Sequence, residues 1–134
     1  MKVLAIDYGE RRVGLAVGDT DTALALPYGK LERRSDELLL EELQKIVDAE
    51  EIGTVVVGEP LTLSGGASAQ TQACRAFAEF LRHHLDVPVE LFDERLTSQR
   101  ADAAAVGGQT RSRDELAAMF LLQDYLERQQ GLTV

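Results

Sequence analysis

With 134 residues, 45% of them hydrophobic and 28% charged, the chain has room for one hydrophobic core and the make-up of a soluble globular domain. No apolar run is long enough to cross a membrane, and the opening MKVLAIDYGE meets an aspartate before a signal segment could form, so the cytoplasm is the expected compartment. The 14 basic and 23 acidic side chains leave a net charge of −9, which argues against a tight non-specific grip on nucleic-acid phosphates.

Val3 to Asp7 is a short apolar run that predicts a strand ending in an aspartate, and Arg12 to Val17 predicts a second after the Gly9-Glu10 turn. A third is expected around Ala23 to Pro27, and the short links favour an antiparallel meander. The period then becomes helical from Asp36 to Glu50, with Leu38, Leu39, Leu43, Ile46 and Val47 on the apolar stripe and Gly53 as the stop. Thr54 to Val57 predicts a central strand covered on both faces. Ser68 to Leu85 predicts a helix burying Ala73, Ala76, Phe77, Phe80 and Leu81, and Val89 to Phe92 a fifth strand ending at Asp93-Glu94-Arg95. A short helix is expected from Leu96 to Val106 and a loop from Gly107 to Arg111. The last helix opens on a capping box of Ser112 and Glu115 and buries Leu116, Met119, Phe120, Leu122 and Leu126. The sum is one α/β domain over residues 1–134: a five-stranded mixed sheet, three N-terminal antiparallel strands and two parallel ones, with helices on both faces.

Three carboxylates stand where such a sheet gathers chemistry. Asp7 closes an apolar strand, and active sites of α/β sheets collect outside the carboxyl ends of strands. Asp93-Glu94 closes another, and strand alternation lets only one of the two face Asp7. Asp114 lies in the first turn of the last helix, where the helix end already favours a carboxylate. Each has an ordinary structural explanation as a turn or capping residue. Together, Asp7, Glu94 and Asp114 form a catalytic and metal-binding candidate set for Mg2+ or Mn2+, hard cations that take oxygen ligands and can be completed by phosphate oxygens. Charge is uneven along the chain: Arg11 and Arg12 follow the first motif, and Arg95, Arg111 and Arg113 surround the later ones, a set suited to holding a phosphate backbone. Cys74 reads as a small buried hydrophobe, and His83 and His84 lack partners at ligand spacing.

The segments Asp7-Tyr8-Gly9-Glu10-Arg11-Arg12-Val13-Gly14-Leu15-Ala16, Val57-Gly58-Glu59-Pro60, Asp93-Glu94-Arg95-Leu96-Thr97-Ser98 and Asp114-Glu115-Leu116-Ala117-Ala118 resemble the YqgF/RuvX family. So does the run Leu122-Gln123-Asp124-Tyr125-Leu126, and the matches span nearly the whole chain in order. The resemblance implies an RNase H-like fold, an acidic set at Asp7, Glu94 and Asp114, and endonucleolytic processing of the 5′ end of the 16S rRNA precursor. Some members look like branched-DNA resolvases, which leaves that substrate as an alternative. The family usually has Val-Gly-Leu-Pro where this chain has Val57-Gly58-Glu59-Pro60, so Glu59 stands as an added or substitute metal ligand or a solvent-facing loop residue. Two further alternatives are a non-catalytic RNA- or ribosome-associated module and an actin-like nucleotide-binding half-domain. A homodimer would widen the nucleic-acid surface, but the sequence locates no interface.

Overall fold

A computed structural model describes residues 1–61, 66–94 and 113–129. Strands β1 (Lys2–Tyr8), β2 (Arg12–Asp19) and β3 (Leu24–Glu32) form the antiparallel meander. Helix α1 (Asp36–Glu50), strand β4 (Ile52–Glu59), helix α2 (Ala69–His84), strand β5 (Val89–Asp93) and helix α3 (Arg113–Gln129) follow. The sheet order is β3-β2-β1-β4-β5, with β1, β4 and β5 parallel. Both crossovers are helical, as parallel neighbours require.

Strand alternation divides the sheet into two faces. Leu4, Ile6, Tyr8, Val13, Leu15, Val55 and Val57 point to one side, where Leu39, Leu43 and Val47 of α1 and Cys74, Phe77, Ala78 and Leu81 of α2 cover them. Val3, Ala5, Ala16 and Val56 point to the other, where Ala118, Leu121, Leu122, Tyr125 and Leu126 of α3 cover them. Helix α3 is tied across the full width of that face. At one edge the Gln123 side chain donates to the Ala23 carbonyl (2.8 Å) and accepts from the Ala25 N–H (3.1 Å). Towards the other, the Tyr125 hydroxyl donates to Glu90 on β5 (2.6 Å).

The helix starts follow from their caps. Ser35 accepts from the Leu38 N–H (3.1 Å), and Ser68 forms a reciprocal box with Thr71. Four details depart from the sequence expectation. Strand β3 runs on through Glu32, since Gly29 to Glu32 pair with the start of β2 beyond a bulge at Tyr28, opposite Leu15/Ala16; on this edge strand the residues alternate outward and look polar. Helix α1 stops at Glu51, which adopts a left-handed conformation (φ 54°), while Gly53 lies inside β4. Leu38 is exposed. In α2 the buried stripe is Thr71, Cys74, Phe77, Ala78 and Leu81, with Ala76 exposed. In so alanine-rich a helix Phe77 and Leu81 set the face, and the choice among alanines does not follow from their type. The expected helix from Leu96 to Val106 and the Ser112 cap lie outside the described residues.

Candidate active site

Parallel pairing of β1, β4 and β5 brings their carboxyl ends to one edge of the sheet. Asp7 is the penultimate residue of β1, and Glu94 follows β5 directly, its N–H held by the Glu59 carbonyl (3.2 Å). Of the Asp93-Glu94 pair it is Glu94 that turns to Asp7, and the two carboxyls lie within hydrogen-bonding reach.

Two glycines flank Asp7 and make room for its neighbours. Gly14 is its cross-strand partner on β2; a Cβ there would stand 1.9 Å from the Asp114 carbonyl oxygen, so the backbone of α3 rests directly on the strand. Gly58 lies near the end of β4, and a Cβ there would stand 2.4 Å from Glu94 Oε2. Gly14 thereby seats the start of α3 beside Asp7.

The electrostatics of this cluster are unfavourable to its own charges. Glu94 is only 7% exposed, and burial, reinforced by the charge and proximity of Asp7, pushes its carboxyl up to about 9. Burial also raises Asp7, an effect opposed by its bond to Glu94 and by the Arg113 charge. Among the described residues, Glu94 Oε2 is buried without a hydrogen-bond partner. An orphaned oxygen of this kind is costly unless something else binds it.

Asp114, the second residue of α3, lies close enough to raise Asp7 electrostatically, but its carboxylate accepts a hydrogen bond from Arg12 Nε (3.0 Å). Among the described residues no three His, Cys, Asp or Glu side chains are gathered as a ready metal cage. The donor chemistry nevertheless fits a hard divalent cation: two adjacent carboxyls, a buried oxygen with no partner among the described residues, and a third carboxylate near enough for its charge to act on Asp7. Glu59 is neither in this group nor on an open loop; it ends β4, and its carboxylate is paired with Arg75 of α2. Arg11 and Arg113 are exposed, and the Arg113 charge acts on both Asp7 and Glu94, whereas Arg95 and Arg111 lie outside the described residues.

A support for the chain after Asp7 was not visible in the sequence. Gln70 donates to the Tyr8 carbonyl (2.6 Å), the Tyr8 hydroxyl donates to Asp36 (2.9 Å), and the Tyr8 ring stacks on Phe77. Arg33 lies over the other side of that ring and donates to the Gly9 carbonyl (3.1 Å). No local motif announces Gln70 or Arg33, because each acts through a contact distant in sequence. Cys74 beneath them is buried, its thiol pushed up to about 12 by burial, as suits an unreactive core residue.

A five-stranded mixed sheet with helices on both faces and carboxylates at the ends of its first and last strands defines an RNase H-like domain of the RuvC type. Thermus thermophilus RuvC, solved in complex with a Holliday junction substrate, superposes with a TM-score of 0.65 at 15% identity over 98% of both chains. The fowlpox virus Holliday junction resolvase gives 0.60 at 10% identity, covering 96% of this chain and 99% of that one. Residues 1–128 match the family model described as RuvX: Holliday junction resolvase, and the chain belongs to the RuvX family. Relatives named "Putative pre-16S rRNA nuclease" include one from Maridesulfovibrio salexigens, 39% identical over 96% of this chain and 99% of its own length. Another, from Chloroflexus aurantiacus, is 37% identical over 93% and 86%.

Proposed function

We propose that the chain is a metal-dependent endonuclease that processes the 5′ end of the 16S rRNA precursor in the cytoplasm, acting as a single domain over residues 1–134. The observation that carries this reading is the buried Asp7–Glu94 pair with its orphaned Glu94 oxygen, two carboxyls that cannot both ionise without heavy cost unless a cation is shared between them. Asp7, Glu94 and Asp114 would hold Mg2+ or Mn2+. Such a cation supplies an activated water and neutralises charge developing on the leaving oxygen.

The remaining work falls to the chain itself. Gly14 and Gly58 let Asp114 and Glu94 close in on Asp7 from either side. Gln70, Arg33 and Asp36 fix the backbone and ring of Tyr8, and so the direction in which Asp7 projects. Arg11, Arg12 and Arg113 border the carboxylates and can bind phosphate where the net charge of −9 would otherwise repel it, with Arg95 and Arg111 assigned the same role from sequence. The pairing of Glu59 with Arg75 supports a ligand set without Glu59. Among the described residues no helix is long and apolar enough to cross a membrane.

Precursor rRNA is favoured over branched DNA because the relatives at 37–39% identity carry the rRNA name, while the junction-bound neighbour at 15% shares the fold alone. The family description keeps the second substrate in view. A matched panel of precursor 16S rRNA, generic single-stranded RNA and four-way DNA junctions, cut by wild type and Asp7→Asn with and without Mg2+ or Mn2+, decides between them. Cleavage confined to precursor rRNA, requiring metal and Asp7, is expected. Preferential junction cleavage would transfer the assignment to DNA, and cleavage unaffected by Asp7→Asn would remove the proposed centre.

A further inference from the structure

The pairing of Arg12 with Asp114 has a consequence beyond generic phosphate attraction. Arg12, Gly14 and Ala16 alternate onto the α3 face of β2, so the same register that seats the start of α3 on Gly14 aims Arg12 at Asp114. The guanidinium side is 57% exposed and the carboxylate 18% exposed. An ion pair so open to water contributes little to stability, and it is correspondingly cheap to exchange. It nevertheless occupies a carboxylate whose charge is felt at Asp7 and which belongs to the candidate ligand set.

We propose that Arg12 is a positioning residue that holds Asp114 in the metal-free protein and passes its guanidinium to a substrate phosphate when a divalent cation takes the carboxylate. This rests on the metal-site reading above. The exchange puts one cation in place of another at the carboxylate. The cation replaces the arginine at Asp114, and the released arginine, anchored at the start of β2 on the edge that carries Asp7 and Glu94, meets the phosphate that the cation attracts. Phosphate contact by Arg12 is thereby conditional on metal, which couples the two binding events. Arg11, exposed and one residue earlier, has no ion pair among the described residues and carries the same charge, so it serves as the electrostatic control.

The test uses MnCl2 titrations of the intact protein at constant ionic strength. Arg12→Ala should tighten Mn2+ binding roughly two- to fivefold, the amount expected from removing a weak competing ion pair. Arg11→Ala should not do so, and the gain should vanish in an Asp114→Asn background. The second readout is the salt dependence of binding to a labelled single-stranded RNA in EDTA and in Ca2+, with the RNA checked intact on a gel afterwards. Arg12→Ala should reduce the slope by about one in Ca2+ and leave it unchanged in EDTA, while Arg12→Lys keeps most of it. Equal effects of Arg11→Ala and Arg12→Ala on Mn2+ affinity, or a gain that survives Asp114→Asn, would overturn the exchange alone. Absence of saturable Mn2+ binding in the wild type would overturn the metal site and the exchange together.

Discussion

Glu94→Gln exchanges a buried carboxyl, one oxygen of which has no partner among the described residues, for a neutral group of the same shape, and it should make the metal-free protein more stable. In the folded chain Glu94 keeps its proton at neutral pH, whereas in the unfolded chain it ionises near the usual 4.5. Holding that proton at pH 7 costs at most about 3 to 4 kcal/mol, at about 1.4 kcal/mol per pH unit. Because Asp7 shares in the titration, we take about 2 kcal/mol, which for a domain of this size is roughly 7 °C in Tm. The glutamine amide can still donate to Asp7. The sign follows from proton counts: between the unfolded and folded values the native state binds more protons, so wild-type stability falls as pH rises. The variant's advantage should be absent below about pH 4.5, grow through neutrality and level off above about 9. Thermal melts of both proteins in EDTA across that range provide the measurement. A variant equal to or less stable than wild type at neutral pH, with a difference independent of pH, would refute the reasoning.

Further expectations concern the packing around the same carboxyls. Gly14→Ala places a methyl against the backbone of α3, which cannot swing away as a side chain could; it should destabilise the fold by about 2–3 kcal/mol, read by urea unfolding. Gly58→Ala meets the mobile Glu94 carboxyl instead; far-UV circular dichroism should stay native while the Mn2+-induced rise in Tm is largely lost. Glu59→Gln should leave that Mn2+ response intact, since the carboxylate it removes is engaged with Arg75; a response abolished as fully as in Asp7→Asn would return Glu59 to the ligand set.

The strands are legible where hydrophobic alternation and turn residues coincide, as in β1, β2 and β5, and the ends of those runs point to Asp7 and Glu94 in the sequence itself. Strand β3 was foreshortened because Tyr28 to Glu32 lie on a sheet edge and expose alternate side chains, leaving no apolar run to read. The two carboxyls of the Asp93-Glu94 pair are equivalent in sequence; only the packing of Glu94 over Gly58 separates them. Arg12 with Asp114, and Arg75 with Glu59, are pairs distant along the chain, so their charges read as independent surface residues until the fold joined them. The same holds for Gln70, whose contact with the Tyr8 carbonyl depends on how α2 lies across the sheet. Local chemistry announced the acids. Their partners are a property of the tertiary structure.

Anomalous diffraction from crystals soaked in MnCl2 tests the central claim most directly, because it locates the cation without reference to activity. The account predicts a peak bound by Asp7 and the otherwise partnerless Glu94 Oε2, with Asp114 turned from Arg12 towards it. A peak at Glu59 and Asp93 with none between Asp7 and Glu94, or no ordered manganese at saturating concentration, would contradict it.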